Sequence, residues 1–132
     1  MVRFLLVTDP KDSLLELAEA VAKHRDVEFF WADSGEKALG MLSDTPVDLV
    51  ITDERLKDMS GLELAEKILS VNPMINCAAI SQLSPENFHE ASEGLGILAQ
   101  LPIRPGGREA DALVRRLKDL KNLIAGKSTG DK

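Results

Sequence analysis

Short apolar segments alternate with helical periods five times along this chain, and only brief polar joints separate them. That alternation is the signature of βαβ units feeding a parallel sheet. Strands are expected near Arg3–Thr8, Val27–Ala32, Val47–Thr52, Ile75–Ile80 and Ile97–Ala99. The third is the clearest, because Val47-Asp48-Leu49-Val50-Ile51-Thr52 is a short, β-branched, apolar run of the kind that buried parallel strands carry.

Between the strands, apolar residues recur at helical spacing. Leu14, Leu17, Ala18 and Val21 form one stripe, and Leu64, Ala65, Ile68 and Val71 a second that Asn72-Pro73 ends. Phe88, Ala91, Ser92 and Leu95 repeat the pattern after Ser84-Pro85, an N-cap followed by an N1 proline. Leu113, Leu117, Leu120 and Ile124 form the last stripe, and a weaker helix covers Glu36–Leu42. These stripes are read as core contacts. The expected fold is therefore α/β: a (βα)5, doubly wound, five-stranded parallel sheet of flavodoxin-like order 2-1-3-4-5, spanning residues 1–125. Gly126–Lys132 is read as a flexible polar tail.

Composition narrows the function. The chain has 132 residues, enough for one ordinary domain, and 44% of them are hydrophobic, so a real core can form. No apolar run approaches the roughly 20 residues that span a bilayer, and no secretory leader is legible. The single cysteine, Cys77, cannot form an internal disulfide, and a cytoplasmic setting is expected. Sixteen basic against 22 acidic residues leave a net charge of −6, which argues against direct nucleic-acid binding.

In open parallel sheets, ligands sit beyond the carboxyl ends of the strands where the strand order reverses. Strand 1 ends in Thr8-Asp9-Pro10 and strand 3 in Thr52-Asp53-Glu54, so Asp9 and Asp53 should converge there, beside Ser81 at the end of strand 4. An aspartate closing a strand is also commonly an Asx-turn or cap residue.

Val47–Asp53 followed by Met59-Ser60-Gly61-Leu62-Glu63-Leu64 resembles the central stretch of a response-regulator receiver domain, and the resemblance runs to about residue 125. It implies that Asp53 accepts a phosphoryl group from a phosphohistidine on a sensor histidine kinase or histidine phosphotransfer protein. It implies Mg²⁺ held by Asp9, Asp53 and the backbone carbonyl of Arg55, with Ser81 as the switch hydroxyl. A carboxylate is a poor nucleophile at neutral pH unless a cation neutralises the approaching oxygens.

Two departures stand out. The family carries a pair of acids after strand 1, and here there is one, so Mg²⁺ binding should be weakened. Asp9 can be matched with either acid of that pair. The family's lysine before the proline after strand 5 is Leu101, and its aromatic switch position is Leu98. Arg55 or Lys57 could reach a bound anion instead, although loop charges are more commonly solvated.

The expected function is a stand-alone receiver that signals by contact with a downstream protein target. The alternative is a pseudo-receiver interaction module that works without phosphorylation. Glu86, Glu90 and Glu93 on the fourth helix oppose Arg108, Arg115, Arg116, Lys118 and Lys121 on the fifth. That suggests a homodimer through the helix 4–strand 5–helix 5 face. An enzyme is the least favoured class. There is no flavodoxin-type phosphate loop, no second acid two residues past Asp9 or Asp53, and no Ser-His-Asp set, while His24 and His89 read as surface residues.

Overall fold

The computed structural model describes residues 1–124, so the expected tail at Gly126–Lys132 lies outside the described residues. Five parallel strands form one sheet in the order β2-β1-β3-β4-β5. They are β1 (Val2–Val7), β2 (Val27–Ala32), β3 (Leu49–Thr52), β4 (Asn76–Ile80) and β5 (Ile97–Leu101). The helices are α1 (Leu15–Val21), preceded by a 3₁₀ turn at Lys11–Leu14, then α2 (Gly35–Asp44), α3 (Gly61–Val71), α4 (Pro85–Ala91) and α5 (Gly107–Ile124). Strand order and helix count are those expected from the alternation.

Side-chain alternation along the strands divides the core in two. Phe4 and Leu6 of β1, with Leu49 and Ile51 of β3, pack toward α1 and α5 against Leu17, Val21, Leu113 and Leu117. Leu5 and Val7, with Val50 and Cys77, pack toward α2 and α3 against Ala38, Leu64, Ala65 and Ile68. Burial pushes the Cys77 thiol up to about 12, so it is an inert, protonated packing group.

Several boundaries differ from the sequence reading. Val47 and Asp48 precede β3, because the Asp48 carboxylate accepts from the Arg3 backbone N–H at 2.8 Å and so replaces a ladder bond. Strand 5 runs on to Leu101. Val71 ends α3 with its side chain exposed rather than in the core. Helix α4 stops at Ala91, which is itself exposed, so Ser92 and Leu95 do not continue a helical stripe. Gly94 and Gly96 take positive φ there, a conformation the next turn of helix could not share.

Candidate functional site

The site grows from the paired ends of β1 and β3. Val7 and Thr52 are register partners, so Thr8 and Asp53 leave the sheet side by side. The Asp53 backbone N–H donates to Val7 O at 3.0 Å, extending the ladder by one bond. Its half-buried carboxylate accepts from the Glu54 backbone N–H at Oδ1 (2.7 Å) and from Thr8 Oγ1 at Oδ2 (2.8 Å). The same Thr8 hydroxyl lies 3.0 Å from Pro10 O. With one hydrogen and two acceptors, it can serve either the carboxylate or its own loop.

The segment after Asp53 is built to a tight pattern. Ser60 and Glu63 form a reciprocal capping box at the start of α3. A Cβ on Gly61 would collide with the Asp53 carbonyl and come within 2.9 Å of Thr52 Cγ2. Only glycine lets α3 begin hard against the end of β3, which accounts for the spacing of Asp53 and Gly61. The loop between them docks on a neighbour: the Asp58 carboxylate accepts from the Gly35 and Glu36 backbone N–H groups at 2.9 Å each, capping α2. Those two N–H groups hold the Asp58 carboxyl below the usual aspartate range.

The other expected residues are placed as follows. Asp9 follows Thr8 and is exposed; Lys57 Nζ lies 3.8 Å from its Oδ2 and 3.6 Å from Asp33 Oδ2. Asp9 and Asp53 thus stand at the ends of adjacent strands, each with a different partner. An open depression of about 340 Å³ covers the ends of β1 and β2 and is lined by Thr8, Asp9, Lys11, Trp31, Asp33 and Lys37. Asp53 stands outside that lining, across Thr8. Ser81 is buried, and its Oγ accepts from the Leu83 backbone N–H at 3.2 Å. Arg55 is exposed, pairs with Ser60 in an isolated antiparallel bridge, and forms no ion pair among the described residues. Leu101 is buried in the cluster against α5, and Leu98 packs on the same cluster.

Four participants were not singled out from the sequence. Thr8 touches Asp53, and Asp58 anchors the loop. Glu54 accepts from the Gln82 backbone N–H (3.0 Å) and Nε2 (3.2 Å), while Gln100 Nε2 donates to Ser81 O (3.2 Å) and Leu83 O (2.8 Å). Glu54 and Gln100 therefore clasp the loop that carries Ser81 from two sides.

The donor set offers hard oxygens only. Among the described residues, no group of three or more His, Cys, Asp or Glu side chains is arranged to hold a metal. Two carboxylates and a carbonyl still suit an ion that usually takes one or two carboxylates and completes an octahedron with water and phosphate oxygens.

Comparison with known proteins agrees with this architecture. Residues 4–101 match the family model for the response regulator receiver domain. A response regulator receiver protein of Anaeromyxobacter sp. (strain Fw109-5) is 32% identical over 102 residues, which are 77% of this chain and 42% of that protein. The chain thus spans less than half the length of that relative. Among solved structures, a two-component response regulator from Clostridium difficile superposes with a TM-score of 0.79 at 18% identity, covering 92% of this chain and 99% of that one. A CheY-like receiver domain protein from Methanospirillum hungatei JF-1 gives 0.79 at 20% identity, covering 92% and 98%. At such identities the structural likeness speaks to the fold.

Proposed function

Since this chain belongs to the response regulator receiver domain family, we propose that it is switched by phosphoryl transfer to Asp53 and signals by protein contact. The observation that carries the reading is the placement of Asp53: its backbone is locked to β1 at the switch point, while its half-exposed carboxylate meets one hydrogen-bond donor on each oxygen. A carboxylate has about four acceptor positions, so lone pairs remain for attack.

In this reading a carboxylate oxygen of Asp53 bonds to phosphorus as the bond from phosphorus to the donor's imidazole nitrogen breaks. The Glu54 N–H stays on the carboxyl group, and the Thr8 hydroxyl swings to Pro10 O when Oδ2 is used. Asp9, Asp53 and the Arg55 carbonyl would hold a weakly bound Mg²⁺, which when bound neutralises the approaching phosphoryl oxygens. Ser81 Oγ accepts from the Leu83 N–H, which leaves its own hydroxyl hydrogen free to donate to a phosphoryl oxygen, while Glu54 and Gln100 clasp the loop that carries it.

The donor would be a sensor histidine kinase or a histidine phosphotransfer protein, and the output a downstream protein target. Receiver domains generally act as signalling modules rather than enzymes. Among the described residues no helix is long and apolar enough to cross a membrane; a cytoplasmic setting belongs to the same proposal. A homodimer through α4, β5 and α5 would rely mainly on Arg108 and Arg115. Lys118 and Lys121 pair within the chain with Asp26 and Asp48, and Arg116 donates to Leu98 O.

The second reading, an interaction module that works without phosphorylation, is favoured by Leu101. It lies in the core where the family's lysine would stand, so that position supplies no charge to a phosphoryl group. Incubation with a small phosphodonor and Mg²⁺, followed by intact mass, separates the two. Gain of one phosphoryl group, lost in Asp53→Asn, supports the first; no gain supports the second.

A further inference from the structure

Lys57 reaches the site from the side opposite strand 5. Its ammonium lies between Asp9 and Asp33, 3.8 and 3.6 Å from their Oδ2 atoms. The backbone that carries it is fixed. Leu56 is buried and its N–H donates to Met59 O at 2.8 Å, Asp58 is anchored on the start of α2, and Met59 packs where a Cβ on Gly35 would stand. The Lys57 side chain itself is half exposed, and both ion pairs are longer than the roughly 2.7–2.9 Å of a charge-assisted hydrogen bond. Such pairs hold weakly and exchange readily.

We propose that Lys57 is a tethered counter-cation of this site, competing with a divalent ion for Asp9 and turning to the phosphoryl group once Asp53 carries one. An ammonium and a divalent ion cannot both closely approach the same carboxylate without mutual repulsion, so each lowers the affinity of the other. Asp9, which the ammonium meets, adjoins Thr8, and Thr8 in turn touches Asp53, so one residue separates the partner of Lys57 from the partner of the acceptor. The charge that Leu101 does not supply from β5 thus comes from the β3–α3 loop. The phosphoryl half of this inference rests on the Asp53 reading; the metal half does not.

The test titrates MgCl₂ into the parent chain, Lys57→Met and Lys57→Arg, followed by the fluorescence of Trp31, which lines the same depression as Asp9 and Asp33. The expected result is Mg²⁺ affinity tightened roughly threefold to tenfold in Lys57→Met and near the parent value in Lys57→Arg. At saturating Mg²⁺, beryllofluoride should bind Lys57→Met roughly tenfold more weakly. Unchanged Mg²⁺ affinity in Lys57→Met overturns the proposal. A parent chain that takes up no beryllofluoride counts against the Asp53 reading, and the Mg²⁺ comparison then decides the role of Lys57.

Discussion

Thr8 Oγ1 lies 2.8 Å from Asp53 Oδ2, so the acid at the end of β3 is met by a buried hydroxyl from the end of β1. The hydroxyl compensates the carboxylate without contributing charge toward a cation. Thr8→Val keeps the shape and removes the donor; a loss of about 1–2 kcal/mol is expected in chemical denaturation. Thr8→Asp adds a second acid beside Asp9, and Mg²⁺ should bind on the order of tenfold more tightly by calorimetric titration. Equal Mg²⁺ affinity in Thr8→Asp and parent would show that the missing acid is not what limits the metal.

Leu101 belongs to the core against α5. Leu101→Lys should cost about 2–4 kcal/mol, since it removes a well-packed side chain and introduces an amine that must snorkel out past Ser81. Against that loss, beryllofluoride affinity should rise, while Leu101→Met, a volume-conserving control, should change it little. Analogue affinity in Leu101→Lys at or below that of the Met variant would mean the amine cannot reach the site.

Asp58 ties the loop after Asp53 to the first turn of α2 through two backbone N–H groups. Its folded carboxyl lies below the ordinary aspartate value of 3.8. Its contribution is therefore present above that value and is lost as the pH falls through the lower folded one. Asp58→Ala should melt below the parent at neutral pH, and the gap between the two melting temperatures should close as the pH falls through the folded value of Asp58, below the ordinary aspartate range. A gap that persists undiminished in acid would point to packing rather than charge.

Gly61 starts α3 against the Asp53 carbonyl. Gly61→Ala should cost about 1–3 kcal/mol, because backbone rather than a flexible side chain would have to move. Gly40, around which nothing lies within 4 Å, is the matched control: Gly40→Ala in the middle of α2 should stabilise by roughly 0.5–1 kcal/mol.

The alternation of apolar runs and helical periods carried strand order, helix count and the switch point, because hydrophobic periodicity is a direct consequence of which faces are buried. The α4 stripe overshot for a local reason: Leu95 fits the spacing, but Gly94 and Gly96 adopt positive φ and end the helix early. Asp9 and Asp53 were legible as residues that close adjacent strands. Thr8 was not, since its hydroxyl bond depends on the rotamer at the end of β1, and threonine there has no sequence signature of its own. Gln100 and Glu54 were hidden for another reason. They act across 17 to 28 residues of chain, and only the assembled sheet brings β5 and the β3 end around the Ser81 loop.

The most direct measurement is the amide NMR spectrum of the chain on addition of beryllofluoride and Mg²⁺. Occupied at Asp53, the site should shift the amides of Thr8, Glu54 and Ser81 together, and Asp53→Asn should leave all three in place. A parent spectrum unchanged at saturating analogue would contradict a phosphoryl-accepting role for Asp53.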